Sequence, residues 1–186
     1  MTDSATVNPP SPFIARWAPR LFAEFGPHGR ALDVATGRGR HALCLAAAGL
    51  RVTGLDIQLD ALMTAGQEGR ASREGQAGLV GNGSLALACV DLTRYPLPRE
   101  RFEVVVVSRY LDRALFASLR EALVPGGILL YETFTERQLQ HGRGPRSRAH
   151  LLEPGELRML VRGMYVLFDE EVSEPDALAR IAARRV

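Results

Sequence analysis

Ala31–Ala42 reads ALDVATGRGRHA, an apolar run, a glycine-rich turn and the opening of a helix in direct succession. The apolar run ends at Asp33, the turn holds Gly37 and Gly39, and Gly37–Ala42 satisfies G-x-G-x-x-A. Glycines in such a turn tolerate positive φ and let a ligand approach the backbone, while the helix start behind them offers free N–H groups. Alone the pattern is weak, because many helices begin after glycine-rich turns. The next apolar run, RVTGLD, strengthens it. That run ends at Asp56, about 20 residues beyond the turn, where an acidic side chain can accept both hydroxyls of a ribose.

Outward from this unit the chain alternates. Strand-like runs at Arg30–Ala35, Arg51–Asp56, Leu85–Asp91, Phe102–Ser108, Gly127–Thr133, Tyr165–Glu171 and Ala177–Arg185 are separated by helical patterns. The helices are expected at Arg40–Ala48, from about Leu59, at Arg113–Leu123 and at Pro154–Val161. Phe102–Ser108 holds four consecutive valines, and continuous apolar strands of this kind are buried on both faces, the mark of a parallel sheet. The fold class is therefore α/β: a single doubly wound, mostly parallel seven-stranded sheet with an antiparallel hairpin at one edge.

One domain spanning 1–186 is expected. Its N-terminal helical segment, 1–29, contains SPFIARWAPRL, where Phe13 and Trp17 suit packing on the sheet and a cofactor-covering role. Two stretches have loop composition. Residues 66–84 carry six glycines and read as a helix end followed by a mobile connection. Residues 134–150, FTERQLQHGRGPRSRAH, carry four arginines and two histidines against the single acid Glu136. Such a segment is either a solvated, mobile loop or a lid.

Composition narrows the function classes. Hydrophobic residues make up 46% and charged residues 24%, the balance of a globular protein. No apolar run reaches the roughly 20 residues of a membrane helix, and Met1–Pro12 is polar and proline-rich, so neither export nor membrane anchoring is expected. All 23 basic residues are arginine, which excludes lysine chemistry such as a Schiff base or a phosphate-loop lysine. A net charge of +2 does not make a nucleic-acid surface. Cys44 and Cys89 lie in apolar stretches and read as buried free thiols, with no metal site expected and a reducing, cytoplasmic setting.

The glycine turn and Asp56 suit two cofactor classes, nicotinamide dinucleotides and S-adenosylmethionine. Three features separate them. Asp33 stands just before the turn, where a carboxylate repels a pyrophosphate but suits the ammonium of a methionine moiety. Asp91 closes the third strand, in place to accept a hydrogen bond from an adenine amino group. LVPGG, 123–127, stands between a helix and the strand GILLYET. In this order the pieces resemble the class I S-adenosylmethionine-dependent methyltransferases over roughly Ala31–Thr133. GRGRHALCLAAAGLRVTGLD is similar to the small tellurite-resistance-type methyltransferases, although Ala35 stands where the wider pattern has glycine.

The resemblance implies a Rossmann-like methyltransferase fold and roles for particular residues. Asp33, Ala35, Thr36, Gly37 and Gly39 would form the methionine-side loop, Asp56 would hold the ribose, and Ile57 would pack on the adenine. Asp91 and Leu92 would read the adenine edge, and Ser108, Arg109 and Tyr110 would face the methyl group and its acceptor. Tyr110 and Glu132 are the candidate catalytic groups. Arg143 and Arg146 are candidates for gripping a small anionic acceptor, through bidentate bonds to carboxylate or phosphate. His41 reads as a helix cap or an exposed residue. The implied reaction is methyl transfer to a small molecule by in-line displacement, yielding S-adenosylhomocysteine, in a monomer or homodimer. The alternatives are a nicotinamide-dependent oxidoreductase, which predicts no role for Asp33 or Asp91, and a non-catalytic S-adenosylmethionine-binding module. RNA methylation is disfavoured, because no separate basic RNA-binding domain is present.

Overall fold

Four consecutive valines show how the sheet is buried. Val104 and Val106 pack with Ile14, Leu21 and Leu45 on one face, and Val105 and Val107 pack with Phe116, Leu119 and Leu157 on the other. Alternation along an extended chain sends neighbouring side chains to opposite faces, so an unbroken apolar strand requires helices on both sides. The computed structural model describes residues 9–75 and 83–186. The strands are β1 (Arg30–Val34), β2 (Arg51–Asp56), β3 (Ser84–Cys89), β4 (Phe102–Ser108), β5 (Leu123–Phe134), β6 (Met164–Val172) and β7 (Leu178–Arg185). Their order in the sheet is β3-β2-β1-β4-β5-β7-β6. Neighbours are parallel from β3 to β5, and β7 runs antiparallel to both β5 and β6, so the expected edge hairpin is formed.

The helices are α1 (Pro12–Phe25), α2 (Arg40–Ala47), α3 (Leu59–Gly75), α4 (Leu115–Ala122) and α5 (Glu156–Leu160). Helix α1 begins with Pro12, which costs no hydrogen bond in a first turn. Its Phe13, Ile14, Trp17, Ala18 and Leu21 form one buried stripe against the sheet. Gly39 precedes α2 with φ 75°, and a Cβ there would stand 2.7 Å from Ala65 Cβ of α3. Glycine at that position lets two helices meet behind the turn.

Several expectations are corrected. Helix α3 runs through Gly75, past the glycines expected to end it, and the anticipated mobile connection at 76–82 lies outside the described residues. LVPGG joins β5 as its irregular first turn of strand, with a register shift opposite Phe102–Val104. Segment 134–150 is folded rather than loose. It contains short 3-10 turns at Glu136–His141 and Arg148–His150 and a parallel bridge between Thr135 and Leu152. Gln138 is wholly buried in its centre, accepting from Ala177 N at 2.7 Å and donating to Arg143 O at 3.2 Å. Arg113 closes the far end with a bidentate pair to Glu156 and bonds to the Ala149 and Leu151 carbonyls. The sequence pattern misses this because one amide and one guanidinium, not an apolar stripe, organise the segment. Cys44 is half-buried and Cys89 is exposed at the end of β3, contrary to the expectation of two buried thiols.

Candidate active site

Parallel strands end on one edge of the sheet, and ligands of open α/β sheets bind beyond that edge. Two cavities lie there. The glycine-turn cavity, about 370 Å³, is lined by Ala35, Gly37, Asp56, Ile57, Asp91, Leu92 and Tyr110 among others. The arginine cavity, about 330 Å³, brings together Arg40, Arg109, Arg180, Glu132 and Asp176, with Pro9–Pro12 as one wall. Residues 109 and 110 follow β4 and line different cavities, so the chain between them is the divide.

Asp33 lies beneath the glycine turn and is 1% exposed. Its Oδ2 accepts from Thr36 Oγ1 at 2.6 Å and from Ala42 N at 3.0 Å, tying the turn to the first residues of α2. Burial pushes its carboxyl up to about 7, against the opposing pull of those two donors. Asp56 accepts from Gly37 N through Oδ2 and from Gln58 N through Oδ1, both at 2.8 Å. A carboxylate has about four acceptor positions, so two remain for a ligand in the cavity that Asp56 lines. Gly37 has φ 54° and open space where a Cβ would stand. The backbone there is bare toward the cavity. Ala35 adopts φ 54° without being glycine, a conformation that costs about 1–2 kcal/mol.

Ile57 is 62% exposed at the cavity wall, an apolar surface available to a flat ring. Asp91 accepts from Thr93 N and Thr93 Oγ1, and these bonds hold its carboxyl below the usual carboxylate range. Leu92 adds apolar lining beside it. Burial, then the negative charges of Asp112, Asp91 and Asp56, push the Tyr110 phenol up, so it stays protonated at neutral pH. Its carbonyl accepts from the buried Tyr131 hydroxyl at 2.8 Å, which fixes the backbone after β4.

On the other side of the divide, Glu132 is 1% exposed and accepts from Arg180 Nε at 2.7 Å, Ser11 Oγ at 2.9 Å and Ser108 Oγ at 3.3 Å. Arg109 has φ 56°, its amide donates to Glu132 O, and its guanidinium pairs with Asp176 at 2.9 Å and lies over the Phe134 ring. Strain of this kind persists where surrounding contacts over-determine it. His41 is neither a cap nor exposed: it is 4% exposed, and its Nε2 accepts from Ser11 N. Burial, helped by the charges of Arg40 and Arg109, pushes it down to about 3, so it is a neutral acceptor. Arg143 pairs with Asp176 at 3.0 Å, and Arg146 donates to Gly142 O at 3.5 Å. Neither stands among the residues lining the two cavities. Sequence reading missed Arg40, Arg180, Asp176 and Ser11; only Arg40, beside Gly39, stood in a motif that could have flagged it.

The model of the methyltransferase domain family matches residues 31–127, the span that carries the glycine turn, Asp56 and Asp91. The chain belongs to that family. The class I S-adenosylmethionine-dependent methyltransferase reading of the motifs therefore holds for family, enzyme class and cofactor. Magnesium protoporphyrin IX methyltransferase from Synechocystis PCC 6803 is similar at 19% identity, with 93% of this chain and 81% of that one covered and a TM-score of 0.70. The N-methyltransferase NodS from Bradyrhizobium japonicum WM9 is similar at 17% identity, covering 92% and 93%, with a TM-score of 0.66. The cyclase SpnF is similar at 19% identity, covering 92% and 80%, with a TM-score of 0.68. At these identities the likeness is one of fold, and a cyclase beside two methyltransferases shows that the fold alone does not choose the chemistry. A search of curated proteins found no match. No helix among the described residues is long and apolar enough to cross a membrane.

Proposed function

We propose that this methyltransferase carries a methyl group across the divide at Arg109–Tyr110, from cofactor in the glycine-turn cavity to a small acceptor in the arginine cavity. The observation that carries this reading is that consecutive residues after β4, Arg109 and Tyr110, line the two cavities. When bound, S-adenosylmethionine supplies a methyl group on a positively charged sulfur, activated for in-line displacement. Transfer would form one bond, from acceptor atom to methyl carbon, and break one, from that carbon to the sulfur, which would keep the electron pair. Little remains for the protein beyond holding the reactants about 3–3.5 Å apart in line and excluding water.

In this reading Asp56 accepts the ribose hydroxyls through the two positions its backbone partners leave free. Ile57 and Leu92 flank the adenine, and Asp91 accepts from its amino group. Gly37 presents bare backbone to the methionine end beside Ala35, Gly39 lets α2 and α3 meet behind the turn, and Asp33, bonded to Thr36, holds the turn from beneath. Ser108, bonded to Glu132, and Arg109 lie on the acceptor side of the divide, and Tyr110 lies beside the transfer point as a donor. Glu132 is already engaged by three donors, so it organises the acceptor side rather than taking a proton. An anionic acceptor fits the surplus of arginine, with Arg143 and Arg146 adding long-range attraction from segment 134–150. Phe13 and Trp17 fix α1, whose first residues wall the acceptor cavity. The two free thiols suit a reducing cytoplasm.

A thermal-shift panel of S-adenosylmethionine, S-adenosylhomocysteine, NAD and NADP tests the cofactor assignment. A ligand at 100 times its Kd adds about 2.7 kcal/mol to stability. Stabilisation by both adenosyl compounds and by neither dinucleotide is expected; the reverse pattern rejects the reading.

A further inference from the structure

The charges lining the arginine cavity do not balance. Arg180 is matched by Glu132 and Glu170, and Arg109 by Asp176. Arg40 has no carboxylate at salt-bridge distance among the described residues; its one hydrogen bond runs to the Pro9 carbonyl at 3.4 Å. It is half-buried; burial and the neighbouring Arg109 press against its charge, while Glu132 and Asp33, neither at salt-bridge distance, favour it. Two guanidiniums that face one cavity and repel each other, one of them unpaired, are relieved by a bound anion. The same cavity also has apolar lining: Pro9, Pro10, Pro12, Pro175 and Leu178. Ser11 holds that wall rigidly, its amide donating to His41 and its hydroxyl to Glu132. A cavity of about 330 Å³ suits a small organic body.

Resting on the proposed methyl transfer, we propose that the acceptor is a small organic acid. Arg40, with Arg109, grips its carboxylate, and its apolar body lies against the proline wall. A carboxylate at Arg40 has a second possible source, the methionine end of the cofactor itself, and the test separates the two.

The full chain is first titrated calorimetrically with S-adenosylhomocysteine, which reports on the cofactor reading alone. The saturated protein is then titrated with benzoate and with its neutral counterpart benzamide, for wild type, Arg40→Gln and Arg40→Lys. We expect wild type to prefer benzoate over benzamide by at least about tenfold, and Arg40→Gln to lose that preference. Arg40→Lys keeps part of it, and S-adenosylhomocysteine affinity stays within about twofold in both variants. Three results would overturn the proposal: no benzoate binding to the loaded wild type, equal binding of benzamide, or benzoate binding unchanged in Arg40→Gln. A loss of S-adenosylhomocysteine affinity in Arg40→Gln would also overturn it, making the guanidinium a partner of the cofactor.

Discussion

The two cavities at the carboxyl edge of the sheet are nearly equal in volume and built in opposite ways. The glycine-turn cavity takes most of its lining from residues just after β1, β2, β3 and β4. Each group there is placed by its own strand, and the key bonds bridge short stretches, as from Gly37 to Asp56. The arginine cavity is closed by contacts distant in sequence: Ser11 to Glu132, Glu132 to Arg180, and Arg109 to Asp176. One side is a local motif laid on a sheet, and the other is a charge network that exists only once the chain is folded. A cofactor site shared by a family suits the first construction, and an acceptor site suits the second.

The contrast breaks hardest at Glu132. Replacing it with alanine leaves the half-buried Arg180 with only Glu170 and strands the Ser11 and Ser108 hydroxyls. Glu132→Ala should lose about 2–4 kcal/mol in urea unfolding, less than for a fully buried ion pair because Arg180 keeps Glu170 and some exposure. Its affinity for S-adenosylhomocysteine, measured where it remains folded, should change far less. Asp56→Ala should act mainly on the cofactor side. Charge-assisted bonds to a ligand are worth about 1.5–3 kcal/mol each, so cofactor affinity should fall at least about tenfold, while stranding Gly37 N and Gln58 N costs about 1–3 kcal/mol of stability each. If Glu132→Ala lost as much cofactor affinity as Asp56→Ala, the two cavities would not be separate constructions.

The same contrast explains what could be read from the sequence. ALDVATGRGRHA and RVTGLD expose the fold and the cofactor side because strand, turn and acid follow one another within a single βαβ unit. Val104–Val107 announces two-sided burial for the same local reason. Nothing in EPDALAR signals that Asp176 reaches Arg109 or that Arg180 reaches Glu132, since both contacts depend on how β7 is seated beside β5. His41 misled because its neighbour in the fold, Ser11, precedes it by 30 positions. In 134–150 the arginines drew attention, while Gln138 held the segment together.

Asp33 and His41 sharpen the comparison through pH. Asp33 binds its proton more tightly folded than unfolded, so its contribution to stability falls as pH rises from 3.8 to about 7. His41 binds its proton more weakly when folded, so its contribution rises as pH rises from about 3 to 6.5. Over the shared window the slopes oppose and wild type should be nearly flat in these two groups. Asp33→Asn should uncover the rising slope and His41→Gln the falling one, each up to about 1.4 kcal/mol per pH unit in unfolding titrations. The smallest effect concerns Ala35. Glycine would relieve about 1–2 kcal/mol of left-handed strain but give back about 0.4–1 kcal/mol through a looser unfolded chain. Ala35→Gly should therefore raise stability by no more than about 1.6 kcal/mol in thermal unfolding.

A crystal structure of the chain with S-adenosylhomocysteine tests the division of labour most directly. The account predicts ribose hydroxyls on Asp56, the adenine between Ile57 and Leu92, and the sulfur pointing past Arg109 and Tyr110 toward the arginine cavity. An adenosyl group seated in the arginine cavity, or bound without touching Asp56, would contradict it.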